Sequence, residues 1–160
     1  MLKMDKVDIL RDIAYGLRNV HNKGLTHQDF HSGNILSLNY NCSIADLGLC
    51  KPANEKNNKT IAAPEVLRGK KYIQESDIYS FRIIIFEVCN GLLPYYDMAH
   101  EEILAIKICQ GLRPRFNIKV PQVIDDIAKQ CMDADPSKRP TAEYLFEILM
   151  NGGNIVIDGV

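Results

Sequence analysis

Cysteine is too sparse in this chain, and too irregularly placed, to staple a fold together. Its five cysteines (Cys42, Cys50, Cys89, Cys109, Cys131) are odd in number, and no two have CxxC spacing. That excludes a disulfide framework and a zinc knuckle and leaves free, mostly buried thiols as the expectation. Glycine and proline are also scarce, at 10 and 7 of 160 residues, so the chain is not low-complexity or linker-rich. No charge sign dominates. The formal net charge is -1 with the signs interspersed, which gives no basic footprint for nucleic acid and no polybasic membrane signal. Long apolar runs are missing as well: the longest, Ile83 to Phe86, is closed by Arg82 and Glu87, far short of the ~20 residues that span a bilayer. The opening "MLKMDKVDIL" places charges where a secretory signal needs an apolar core. The expectation is a cytoplasmic protein, or a nuclear one, with neither nucleic acid nor membrane as partner.

What is present suits one soluble domain: 46% of the residues are hydrophobic, enough for a core without staples at this length. Val7, Leu10, Ile13, Ala14, Leu17, Val20 and His21 form a helical stripe over residues 7–23, ended by Gly24. "NILSL" and "CSIAD" read as two short strands of a hairpin around Asn39-Tyr40-Asn41. Residues 50–63 lack periodicity and read as an exposed loop. Ser76 is the expected N-cap of "DIYSFRIIIFEVCN", a helix apolar nearly all round and therefore buried on most sides, with Gly91 as its stop. An amphipathic helix, "HEEILAIKICQ", follows and ends at Gly111. After the connector "RPRFNIKVPQ", Pro121 opens "PQVIDDIAKQCM", and Thr141 caps "AEYLFEILMN". The chain is expected to be mainly α, with one small hairpin.

Polar chemistry clusters around that hairpin: His27, Asp29 and Asn34 precede its first strand, and Asp46 and Gly48 follow its second. An aspartate, an asparagine five residues on and a second aspartate across a hairpin can converge on one point. Hard oxygen ligands of this kind suit Mg²⁺, which keeps water and phosphate in its remaining positions. A free carboxylate beside the ion could accept a proton from a hydroxyl nucleophile. His27 and His31 stand four apart, but the HExxH zinc motif needs a glutamate where Gln28 stands, and a helix where this stretch reads as a loop.

"HQDFHSGN", then "DLG" at 46–48, "APE" at 63–65, "SDIYSF" and "DPSKRPT" occur in an order that resembles the catalytic signature set of eukaryotic protein kinases. The wording is most similar to the tyrosine-kinase-like group. The resemblance covers about Val7 to Leu149 and implies a kinase C-terminal lobe, a helical bundle around a buried central helix, over residues 1–150 with a tail at 151–160. The activity it implies is phosphoryl transfer from ATP, with Mg²⁺, to hydroxyls of a protein substrate, of serine/threonine type. Asp29 matches the catalytic base. Asn34 and Asp46 match the magnesium-holding positions, and Asp77 the buried aspartate that anchors the catalytic loop. Glu65 and Arg139 match a structural ion pair, and His27 a structural hydrogen-bonding residue.

The pattern also departs from the family. No GxGxxG and no "VAIK" lysine occur in these 160 residues, so an N-terminal lobe is expected to be absent and the chain to be weakly active or inactive alone. Gln28 stands where the signature has arginine, and His31 where serine/threonine kinases commonly place lysine. The stretch between Asp46 and Glu65 is short for a substrate platform. Arg82 replaces the glycine that usually follows "SF", a long cation that would have to snorkel outward or destabilise the helix. Two rival readings stay open: a non-catalytic, pseudokinase-like module that docks another protein, and a fragment or decayed copy without independent activity.

Overall fold

The apolar stripe from Val7 to Val20 folds as helix α1, Lys6–Asn22, in a computed structural model of the chain that describes residues 5–38, 41–45, 61–98, 101–152 and 155–157. The Asp5 carboxylate caps α1 by accepting from the Val7 amide at 3.2 Å. Gly24, at φ +71°, turns the chain out of it. Strands β1, Ile35–Leu38, and β2, Asn41–Ile44, pair antiparallel with Ile35 opposite Ile44 and Leu38 opposite Asn41. Asn41 thus belongs to a strand and not to the turn. One face of the hairpin (Ile35, Cys42 and Ile44) packs on the core. Gly16, in the middle of α1, makes room for it: a Cβ there would sit 2.9 Å from Ile44 Cδ1. The Asp12 carboxylate then pins the hairpin by accepting from the Cys42 amide at 3.1 Å.

Helices α2 (Pro64–Leu67), α3 (Gln74–Asn90), α4 (Glu101–Cys109), α5 (Gln122–Cys131) and α6 (Ala142–Asn151) complete the lobe. The reason α3 is apolar nearly all round is that it divides two cores. Ile78, Phe81, Ile84, Ile85 and Cys89 join α1, α5 and α6 in the larger cluster. Tyr79 and Ile83 meet Ala63, Leu104, Ile108 and Met132 in the smaller one. Each such fully buried side chain contributes about 1.5–3 kcal/mol, so both faces of α3 stabilise the lobe. The mainly helical architecture with one small hairpin agrees with the kinase-like C-terminal lobe implied by the sequence.

Several local expectations need correcting. Helix α3 begins at Gln74 with Ile73 as its N-cap, so Ser76 lies in the first turn. There its Oγ accepts from the Ile73 amide at 3.3 Å, the returning half of a capping box, and donates to Glu65 Oε1 at 2.9 Å. Helix α4 buries only Leu104 and Ile108 and leaves Ile103 and Ile106 exposed. Cys89 and Cys131 are buried, but Cys42 and Cys109 are only half-buried, and Cys50 lies outside the described residues. Arg82 does not snorkel: it is 4% exposed, with its guanidinium 4.2 Å from the Phe116 ring centroid. The enclosing 111–120 connector makes burial possible, because it supplies both the ring and a carbonyl acceptor at Pro114, 3.0 Å from Nη2. Among the described residues no helix is long and apolar enough to cross a membrane.

Candidate active site

The segment from Leu25 to His31 is a loop that runs into a short 3-10 turn, Ser32–Asn34, and a loop keeps its shape only if something over-determines it. Here a carboxylate buried at the start of α3 does so. Asp77, fully buried, accepts from the backbone N–H of His27 at 2.7 Å and of Gln28 at 3.2 Å, and from the His21 ring at 2.9 Å. Gln28 has φ +64°, a left-handed conformation that costs a non-glycine residue about 1–2 kcal/mol. The two amide bonds to Asp77 hold that turn in place. Gln74 adds a second tie, donating from Nε2 to the carbonyls of His21 and Leu25 at 3.0 Å each. Phe30 supplies the apolar anchor: it is buried and stacks on Phe81 with ring centroids 6.4 Å apart.

Past Phe30 the polar groups converge. Asn34 Nδ2 donates to the Asp29 carbonyl at 2.8 Å and to Asp29 Oδ2 at 3.1 Å. Spending its NH₂ group on Asp29 leaves the amide oxygen as the remaining acceptor on Asn34, a hard ligand suited to Mg²⁺. His31 Nδ1 accepts from the Gly33 amide at 3.0 Å, and His31 Nε2 lies 3.6 Å from Asp29 Oδ2. Gly33 permits this close approach, since a Cβ there would stand 2.7 Å from His31 Cε1. His27 is fully buried. Its Nδ1 accepts from the Asp29 amide at 3.3 Å, so Nε2 carries the proton donated to the Ala45 carbonyl at 3.1 Å. That bond joins the loop to the last described residue of the hairpin. Asp46, the other expected magnesium position, lies outside the described residues, as does "DLG". The residues present could hold one side of a hard cation such as Mg²⁺, with the Asn34 amide oxygen as the donor and the Asp29 carboxylate beside it.

Four contributors to this site had escaped the sequence reading. His21 appeared there only as part of a helical stripe, yet its ring bonds Asp77. Gln74 and Phe30 carried no motif weight. Tyr72 also belongs here: burial first, then the negative charge of Asp77, pushes its hydroxyl well above the ordinary tyrosine range, with Asp29 adding to the effect. An aromatic preceding "IQESD" by one residue was the one available signal.

Glu65 and Arg139 form a bidentate pair below the site, Nη1 to Oε1 at 2.7 Å and Nη2 to Oε2 at 2.9 Å, both residues buried. Arg139 also donates to the carbonyls of Glu75 at 2.8 Å and Asp133 at 3.0 Å, so one guanidinium joins α2, α3 and the turn before α6. Burial works to raise the Glu65 carboxyl, but the bonds from Arg139 and Ser76 outweigh it and hold the group below its ordinary value. A carboxylate lowered on folding contributes stability above its unfolded value and loses it as pH falls through the folded one. Stability to urea is therefore expected to drop as pH falls below about 4. Glu65→Gln should flatten that acid limb, and an unchanged acid limb in this variant would contradict the assignment.

The chain is similar in sequence to known protein kinases. Residues 1–149 match the profile described as "Protein tyrosine and serine/threonine kinase". A probable serine/threonine-protein kinase of Dictyostelium discoideum is 31% identical over 156 residues, covering 92% of this chain and 10% of the relative. Serine/threonine-protein kinase STE20 of Candida glabrata is 34% identical over 152 residues, 87% of this chain and 16% of the relative. Serine/threonine/tyrosine-protein kinase HT1 of Arabidopsis thaliana is 28% identical over 158 residues, 93% and 40% respectively. The chain thus spans 10% of the length of the Dictyostelium relative and 40% of HT1. This helical lobe, matched to the profile over residues 1–149, belongs to the protein tyrosine and serine/threonine kinase family.

Proposed function

We propose that these residues form the catalytic half of an ATP-dependent protein kinase acting on serine or threonine hydroxyls. The observation that supports this best is the Asp29–Asn34 pair, 3.1 Å apart on a loop whose left-handed turn is fixed by buried Asp77. In this reading Asp29 accepts the substrate hydroxyl proton, while Asn34 and Asp46 hold Mg²⁺. The ion and ATP together would supply the phosphoryl group and neutralise its developing charge. His27, Asp77, Glu65 and Arg139 position the loop and touch neither nucleotide nor substrate. Serine/threonine type follows the relatives, which are serine/threonine-protein kinases.

The 160 residues as a separate polypeptide are expected to transfer little phosphate, because they contain no glycine-rich loop and no paired lysine to align the ATP phosphates. The decisive experiment joins the chain to the nucleotide-binding half of a related serine/threonine kinase and assays transfer from ATP to a generic protein substrate. Transfer should appear in the folded chimera and fall about 10²–10⁴-fold in Asp29→Ala, the range a general base supplies. A folded chimera with no more transfer than its Asp29→Ala variant would refute the reading. It would favour the non-catalytic alternative, a protein-docking lobe, for which the specific observation is exposed Ile103 and Ile106 on α4.

A further inference from the structure

Arg82 is a buried cation in the largely apolar middle of α3, and the fold does not use all of it. Its Nη2 donates to the Pro114 carbonyl at 3.0 Å, and its plane lies against Phe116. Its Nη1 is buried without a hydrogen-bond partner among the described residues. A donor on a buried cation calls for an acceptor, and an anionic one most of all. Arg82 lines a cavity of about 950 Å³ between α3, the 111–120 connector and α5, to which none of Asp29, Asn34 or Asp77 contributes.

The charge lining that cavity is of nearly one sign. Arg113, Arg115, Lys119 and Lys129 stand around it with Arg82, against the single acid Asp125, which is already paired with Lys129. Arg113 is engaged with the carbonyls of Ile108, Leu112 and Met132, so it adds positive potential, while Arg115 and Lys119 lie exposed. A concave wall of one sign concentrates counter-charge. Phe116, Ile118 and Val120 give the same cavity apolar walls. A bare ion would leave most of this volume to water, whereas sites of about 300–1,000 Å³ accept organic molecules with a few fixed polar contacts.

We propose that this cavity binds a small organic phosphate monoester, its oxyanion met by the exposed Arg115 and Lys119 in the field of the buried Arg82 cation and its apolar body against Phe116 and Ile118. The site is independent of the kinase reading, since it shares no residue with the catalytic loop.

The test is isothermal titration of the full chain at fixed ionic strength with inorganic phosphate, phenyl phosphate and a phosphoserine peptide, using sodium chloride as reference. Saturable phosphate binding is expected, with phenyl phosphate roughly tenfold tighter, the gain that burying an apolar body brings. Arg82→Met, which keeps the stem and removes the guanidinium charge, should weaken phenyl phosphate by about tenfold, the scale of losing one cation from a low-dielectric wall. If that variant does not fold, Arg115→Gln with Lys119→Gln, both on the surface, should weaken binding severalfold. No binding beyond chloride, or binding indifferent to every one of these substitutions, overturns the site. A phosphoserine peptide binding tenfold tighter than phenyl phosphate overturns the small-molecule assignment.

Discussion

Arg139→Ala should lower the stability of the lobe by about 3–5 kcal/mol, the cost of breaking a buried ion pair by removing one partner. The size follows from what remains. Glu65 would stay buried with only the Ser76 hydroxyl as a side-chain donor, and the carbonyls of Glu75 and Asp133 would each lose a bond. The guanidinium also lies 5.2 Å from the centroid of the Tyr79 ring in the smaller core, so packing is lost along with charge. Urea unfolding at neutral pH measures the loss as a shift in midpoint at constant slope. The double variant Glu65→Leu/Arg139→Met should recover most of it, because a well-packed apolar pair removes the uncompensated charge. A loss below about 1 kcal/mol for Arg139→Ala, the value typical of an exposed pair, would mean that the pair is solvated and does not tie α2 to α3.

The second large effect concerns Asp77. Asp77→Ala strips an acceptor from the amides of His27 and Gln28 and from the His21 ring, all within a fully buried site. Unsatisfied buried donors cost about 1–3 kcal/mol each, and local relaxation should leave a net loss near 3 kcal/mol. The strained turn at Gln28 then loses both amide bonds that hold it, so the loop should relax even in molecules that remain folded. Hydrogen exchange reads this directly: the His27 and Gln28 amides should lose protection while those in the middle of α3 keep theirs. Asp77→Asn retains one acceptor oxygen and should fall between the two. Unchanged exchange at His27 and Gln28 in Asp77→Ala would sink the claim that this carboxylate holds the loop.

Both predictions involve residues that the resemblance to protein kinases pointed to, but the reasons for their size were not legible in the sequence. "APE" and "DPSKRPT" named Glu65 and Arg139 as a pair. They did not show that the same guanidinium reaches Glu75 and Asp133, contacts to backbone carbonyls that leave no trace in residue type. "SDIYSF" named Asp77 but hid its partner His21, which lies 56 residues earlier and looked like part of a helix stripe. Ser76 was misread for a related reason. A serine before an apolar run is a good N-cap, but here the helix starts two residues earlier, and the hydroxyl is spent on Ile73 and Glu65.

By itself the sequence determined what short-range chemistry controls. The 3.6-residue period placed α1, α5 and α6, Gly24 and Gly91 ended helices where φ had to turn positive, and Thr141 capped α6. An apolar pattern on all sides was enough to say that α3 is central. Only the tertiary structure decided where charge could be buried. Whether Arg82 reaches water or stays inside depends on the connector 111–120 folding over it, and whether Gln28 can hold a left-handed turn depends on a carboxylate far away in sequence. The physical reason is the same in both cases: the cost of a buried charge or a strained backbone is set by the groups that surround it, and those come from segments that periodicity cannot bring together.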